Sequence, residues 1–571
     1  MQAAAMRQPH FSEEKRNPMR DEKLTMEYRK LDERLALLSY RISGSSLYEK
    51  EWFCPDADHL REAREELTEL TGTAEALSAP DAVYAAVKNH LTDFCESLRF
   101  VIDDLEDCPV QSILGFTDYY LSVARLDKRD DPVRLSLLTR RFRSICGAEE
   151  VFIKRCRPEH APALLRASAA VRREAGDLDI TFPAFTEAQK EELKASLLAL
   201  SECAERISGA LTGCGQENRP SVRDDLSLTV KMEASAYEAT LRAKMGVELS
   251  ELLAWNQEEI EKTRAEVFSI AEKLCGKEEV PADMEGINSL LFRNEPPAKD
   301  AAEMVERARS YLKRARKVAH EYVKLPEDEE VLCLPIPFAL KDGYPWGGYE
   351  GGDFRKRPLT GQMFLNQYNV PNISDGWIRM NAMHEAYPGH HVQFVRAFLD
   401  ETPETVKIGA RLIPLLEGTC LRTERAFEDT YPEDPWYPLF VAYRRHHTSV
   451  RIFVDLQLFY YGATIGEAVE IYKKELGLDF VTARAQVQAH QNSPGYFTCY
   501  YYGMKKICSL ETELGFSKKD FTELCFSAGY VSMGTFEMLA RMTKEERERY
   551  YHEFKSLLRE NPAFDPGVSR G

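Results

Sequence analysis

The chain has 571 residues, 44% of them apolar and 29% charged, and carries a formal net charge of −18. That composition excludes wholesale disorder, and the acidic balance excludes a nucleic-acid partner, because phosphate binding relies on a positive surface. Met1 to Leu24 mixes charges and lacks the apolar core of a secretory leader, and no apolar run approaches the roughly 20 residues of a membrane span.

Thirteen cysteines, an odd number, are scattered without CxxC pairs. This spacing predicts free thiols in a reducing compartment, hence a cytoplasmic protein in which the Asn372-Ile373-Ser374 sequon has no role.

Most of the chain reads as helix. Glu191–Ala210, Glu248–Leu274 and Ala301–Val323 carry apolar residues at three- and four-residue spacing with charged faces between. The texture changes from about Lys324 to Asn372. Val331 to Pro337 is a candidate strand, Asp342 to Gly352 is too glycine-rich for helix, and Gly361 to Asn366 is a second candidate strand. Ser374-Asp375 are N-cap residues for a returning helix, and Thr464-Ile465-Gly466-Glu467 fits a capping box. The expected fold is mainly α with a small β-sheet. It divides into a helical half, 1–324, and a half carrying the chemistry, 325–571, either as two domains or as two lobes of one body.

The chemistry centres on His384-Glu385-Ala386-Tyr387-Pro388-Gly389-His390-His391. In the zinc-protease pattern H-E-x-x-H, two histidines one helical turn apart bind Zn²⁺, and the adjoining glutamate takes a proton from the activated water. Here the fourth position after His384 is Pro388, which binds no metal. Proline and glycine together predict a bulge or break in the helix. A bulge of one or two residues brings His390 onto the face of His384. His391 shares that face in an undistorted helix but lies almost two turns away, so His390 is the preferred second ligand. A third ligand is needed. Glu417 follows an apolar helical run, and Glu424, on the same face, is placed to hydrogen-bond a histidine ligand.

The octapeptide together with Glu417-Gly418-Thr419-Cys420-Leu421-Arg422-Thr423-Glu424 resembles a bacterial family known as a domain of unknown function, marked by H-E-x-x-P-G-H-H and E-G-x-x-L-x-x-E. That family resembles helical zinc peptidases of the thermolysin-like superfamily. The resemblance covers roughly 325–515. It implies a helical clamshell of the zincin type, a Zn²⁺ cofactor on His384, His390 and Glu417, Glu385 as general base and a short peptide as substrate.

Asn492 to Tyr500 resembles the family's P-G-Q-A-x-x-Y stretch, with Tyr496 in the glutamine position. It offers Tyr500 as oxyanion donor, with Tyr501 and His490 as rivals. Arg451 to Asp455 resembles the family's R-x-V-x-D helix, so Arg451 either clamps a substrate carboxylate or pairs with Asp455. Phe459 replaces a histidine expected there. Gly361 to Asn366, with Gly361 and Met363, is either an edge strand for main-chain pairing with substrate or an internal strand. Gly567 to Gly571 matches G-x-S-x-G but lacks the strand–helix context of a nucleophile elbow. The rival functions are a zinc amidase on a non-peptide substrate and a non-catalytic peptide-binding or scaffold protein.

Overall fold

The computed structural model describes residues 18–43, 52–125, 127–212, 225–337, 341, 344–352 and 357–560. The protein is mainly helical, with one small three-stranded sheet. The three long periodic segments form helices Glu187–Thr212, Leu249–Cys275 and Ala301–Tyr322. The last shows why: Met304, Ala308, Leu312, Ala315 and Ala319 form one buried stripe, and Asp300 caps its N-terminus by accepting from the Glu303 amide. Helix Ile465–Leu476 carries the expected capping box from Thr464 and Glu467. Helix Asp375–Asn381 begins at Ser374, but its cap makes no side-chain hydrogen bond there.

Apolar side chains collect in three large cores. Helices Asp131–Gly147, Ala161–Gly176 and Glu187–Thr212 enclose one. A second joins the beginning of the described chain to its end, packing Pro18–Ser43, Ala57–Ala76 and Ala82–Asp107 against Lys518–Ser527 and Met533–Arg541. The third holds Leu249–Cys275, Ala301–Tyr322, the sheet and the helices of the motif region, and its residues run from Tyr237 to Phe526.

The sheet contains β1 (Glu329–Pro335), β2 (Gly347–Glu350) and β3 (Leu359–Leu365) in the order β1-β3-β2. β3 pairs in parallel with β1 along its whole length and antiparallel with β2 over 362–365. Of the two readings open for this segment, the internal strand is the one found over 362–365. With neighbours on both sides, β3 has no free row of main-chain groups over those residues, and the Met363 side chain is buried in the third core. The edge strands are β1 and β2, the latter inside the glycine-rich passage where no strand was expected.

Helices Ile413–Ala426 and Cys499–Leu514 approach unusually closely. A Cβ on Gly503 would lie 1.8 Å from the Pro414 carbonyl oxygen, and one on Gly418 would lie 2.5 Å from the Gly503 carbonyl carbon. Only glycine permits this crossing, which sets Glu417 near Tyr500 of the second helix. Gly503→Ala is therefore expected to destabilise the fold by about 1–3 kcal/mol, read as a lowered urea midpoint. Gly209→Ala, in a helix where an added Cβ meets nothing within 4 Å, is expected to be neutral or stabilising by up to about 1 kcal/mol. Equal midpoints for the two variants would contradict the close crossing.

Candidate metal centre

Helix Asp375–Asn381 runs into a widened turn, Ala382–Ala386, closed by a bond from the Tyr387 amide to the Ala382 carbonyl at 3.0 Å. Such i→i−5 turns interrupt helices where a side chain must be re-aimed. The chain then folds back. The Gly389 amide donates to Ala386 at 2.9 Å, and a new helix starts at His390. A Cβ on Gly389 would lie 2.0 Å from the His384 carbonyl oxygen, so glycine is required for the return. The insertion puts the His390 ring 5.0 Å from the His384 ring, at 85°.

Both imidazoles meet one carboxylate. Glu417 Oε2 is 3.2 Å from His384 Nε2 and 3.4 Å from His390 Nε2. Two donors each 2.0–2.1 Å from a tetrahedral ion stand about 3.4 Å apart, and the carboxylate's distances to both imidazoles match that spacing. The other ring nitrogens are held. His384 Nδ1 meets Glu424 Oε1 at 2.7 Å, and His390 Nδ1 meets Gln393 Oε1 at 2.9 Å. A carboxylate or amide oxygen behind each ring is how ligand histidines are oriented. The expected role of Glu424 is geometrically in place, while Gln393 was missed although it lies one turn after His390.

The electrostatics follow from burial. Burial opposes charge on His384, but the hydrogen bonds from Glu417 and Glu424 outweigh it and raise the imidazole to about 10. Glu417 is likewise opposed by burial yet held well below the carboxylate range by His390 and His384. Glu385, adjacent and making no such bond, is pushed up by burial.

A second donor set competes. His384, His390 and Cys420 offer ligand atoms all within 4.8 Å of one another. Cys420 approaches the Nδ1 side of His390, at 3.5 Å, whereas Glu417 faces Nε2 of both rings. Burial and the neighbouring carboxylates also push the thiol well above its ordinary range, and zinc takes the thiolate. The carboxylate is the better third donor.

The match to a family model settles the lineage of these residues: the family described as "Bacterial protein of unknown function (DUF885)" covers 52–539. The chain belongs to the DUF885 family. Comparison with curated proteins gives no match. Among solved structures, the chain is similar to "the putative lipoprotein from Colwellia psychrerythraea" (TM-score 0.68, 14% identity, covering 90% of this chain and 97% of that one). It is also similar to "a putative lipoprotein of unknown function from Shewanella oneidensis" (TM-score 0.64, 14% identity, 90% and 99%). At that identity the likeness is one of fold. Among the described residues of this DUF885 chain, no helix is long and apolar enough to cross a membrane.

The remaining candidates of this DUF885 chain separate cleanly. His391 is turned away from Glu417, with Nε2 2.7 Å from Glu329 on β1 and Nδ1 2.8 Å from the Tyr349 hydroxyl on β2. Gly361 lies against that pair, since an added Cβ would be 2.6 Å from the imidazole. His391 thus ties the motif to the sheet. Tyr500 stacks beside His384, with ring centroids 6.4 Å apart, and its hydroxyl is 3.3 Å from that of Tyr496. Tyr496, noted in the sequence only as a departure from glutamine, donates to Glu417 Oε1 at 3.0 Å. Burial, and then the charge of Glu417, push both phenols well above their ordinary range, so both stay protonated donors. Tyr501 instead donates to Glu259, and His490 is locked between Asp455 at 2.6 Å and the Tyr472 hydroxyl at 2.7 Å. Arg451 does not pair with Asp455, which takes Tyr237, His490 and the Gly495 amide. Phe459 packs on Tyr237.

Metal analysis of zinc-equilibrated protein distinguishes the donor sets. Wild type and Cys420→Ser are expected to hold about one zinc per chain, and His384→Ala and Glu417→Gln little. Loss in Cys420→Ser with retention in Glu417→Gln would reverse the assignment.

Proposed function

We propose that this protein is a zinc-dependent hydrolase of peptide bonds, acting on short peptides. The reading rests on one observation: His384 and His390, separated by an insertion, converge through their Nε2 atoms on the Glu417 carboxylate, with Glu385 adjoining His384. His384, His390 and Glu417 would hold the ion, and Glu424 and Gln393 fix the two rings behind them. Zinc, when bound, supplies Lewis acidity that makes water nucleophilic at neutral pH and polarises a carbonyl.

The protein's own groups do the rest. Glu385, next to His384 and free of the bonds that occupy Glu417 and Glu424, accepts a proton from the attacking water and returns it to the leaving amine. Burial raises its carboxyl, the direction that improves both transfers near neutral pH. Tyr500 stacks beside His384 as a neutral phenol and donates to the oxygen that becomes negative as the carbonyl is attacked. Tyr496 holds Glu417 through one oxygen, leaving the other for the site. The scattered cysteines, without CxxC pairs, support the reading of a reducing compartment, the cytoplasm.

Glu385→Gln is expected to keep zinc and fold while turnover of a peptide substrate falls by about 10²–10⁴-fold. Activity within a few-fold of wild type would remove Glu385 as the base. Tyr500→Phe is expected to lower kcat by roughly 10²-fold with KM little changed. An unaffected Tyr500→Phe beside a crippled Tyr496→Phe would transfer the donor role to Tyr496.

A further inference from the structure

Helix Tyr437–Asp455 carries three arginines, and two of them, Arg444 and Arg451, stand seven residues apart and so on one face two turns apart. Both are more than nine-tenths buried, at 5% and 6% exposure, and both reach the same ring: their guanidinium carbons lie 5.9 and 5.2 Å from the centre of Tyr500. Arg444 also lies over Trp377 at 5.5 Å, and Arg451 over Phe497 at 4.7 Å.

What these arginines lack is a carboxylate at hydrogen-bond distance. Arg451 forms no ion pair among the described residues. Its Nη2 donates to the neutral Gln486 side chain at 3.0 Å, and its Nε has no hydrogen-bond partner. Arg444 pairs through Nε with Glu424 at 3.7 Å, too long for a hydrogen bond, and neither Nε nor Nη1 has a hydrogen-bond partner. His447, between them on the same face, leaves Nε2 unpartnered. Burial, and further on the charge of Arg451, hold Arg444 below the ordinary guanidinium range despite Glu424. Two like charges kept out of water without hydrogen-bonded carboxylates are costly to the fold alone. The arrangement makes sense when a ligand brings an anion, and a planar fork is the group that best binds a carboxylate.

The location fixes which anion. Tyr500 stacks beside His384, and Arg444 reaches toward Glu424, which holds His384. With the guanidinium carbons 5.2–5.9 Å from the Tyr500 ring and that ring 6.4 Å from His384, a carboxylate held here lies a few residues at most from the scissile bond, given about 3.3–3.6 Å of reach per residue. Resting on the hydrolase reading above, we infer that Arg444 and Arg451 bind the C-terminal carboxylate of the substrate, so that the enzyme is a carboxypeptidase releasing a few C-terminal residues at most. Arg451 was a candidate clamp in the sequence. Its pairing with Arg444, and the direction of cleavage that follows, come from the structure.

The test uses two pools of N-acetylated tetrapeptides, one with free C-terminal acids and one C-terminally amidated, incubated with the zinc-loaded protein and followed by mass spectrometry. The acid pool is expected to be cleaved at least about 10²-fold faster, from two charge-assisted contacts, with a few C-terminal residues at most released. Arg444→Gln and Arg451→Gln are expected to draw the acid-to-amide ratio toward one, and Arg451→Lys to keep part of it. A purely structural role would slow both pools and leave the ratio standing, which overturns the inference. Equal cleavage of the two pools by wild type overturns it without any variant. Cleavage of the amidated pool confined to members with Asp or Glu would move the anion to a side chain and overturn the C-terminal assignment. Cleavage of neither pool would sink the hydrolase reading and this inference with it.

Discussion

Glu417 carries a negative charge into a part of the molecule that little water reaches, and the elements around it are arranged to answer that charge. Left alone there, a carboxylate costs several kcal/mol even after relaxation. His384 and His390 face it through Nε2, and Tyr496 donates to its other oxygen. Each partner comes from a different segment: the widened turn, the helix after the insertion, and the loop before Cys499. The charge therefore couples three pieces of chain that have no local reason to meet. It also creates the donor cluster on which the proposed zinc chemistry depends, because the groups that satisfy a buried carboxylate are the ones a divalent cation gathers.

Two backbone devices make that meeting possible, and both depend on glycine. The fold-back at Gly389 passes so near the His384 carbonyl that no side chain fits, and it converts a seemingly misplaced histidine into a partner of His384. The crossing of Gly418 over Gly503 brings the glutamate helix against the tyrosine helix, setting Tyr496 and Tyr500 over the same cluster. His391 fastens the whole arrangement to the sheet through Glu329 and Tyr349. The sheet thus serves as a brace for the motif. Beyond this centre, Arg444 and Arg451 extend positive charge along one face of their helix past Tyr500, which gives the proposed site a direction.

Much of this was legible in the sequence because it is written locally. Long helices show in the spacing of their apolar residues, the Thr464 capping box is a four-residue pattern, and the Pro388-Gly389 pair announces a break. The preference for His390 over His391 followed from counting residues around a helix. What remained hidden depends on contacts between distant segments. Whether Gly361–Asn366 lies at an edge is decided by β1 and β2, which come from earlier in the chain and flank it on either side, and no local pattern states that. β2 escaped notice because its glycines read as loop. Tyr496 looked like a departure from a family pattern until its hydroxyl was seen on Glu417. Arg444 could have been found from its seven-residue spacing to Arg451, but that it lacks a hydrogen-bonded acid is a property of the packed molecule.

The most direct measurement is an anomalous difference map, recorded at the zinc absorption edge from crystals of zinc-equilibrated protein. The account predicts a single strong peak about 2.0–2.2 Å from His384 Nε2, His390 Nε2 and a Glu417 oxygen, with Glu424 still on His384 Nδ1. A map from such crystals with no peak there, and Glu417 still hydrogen-bonded to both imidazoles, would show that the cluster is a buried ion-pair network rather than a metal centre.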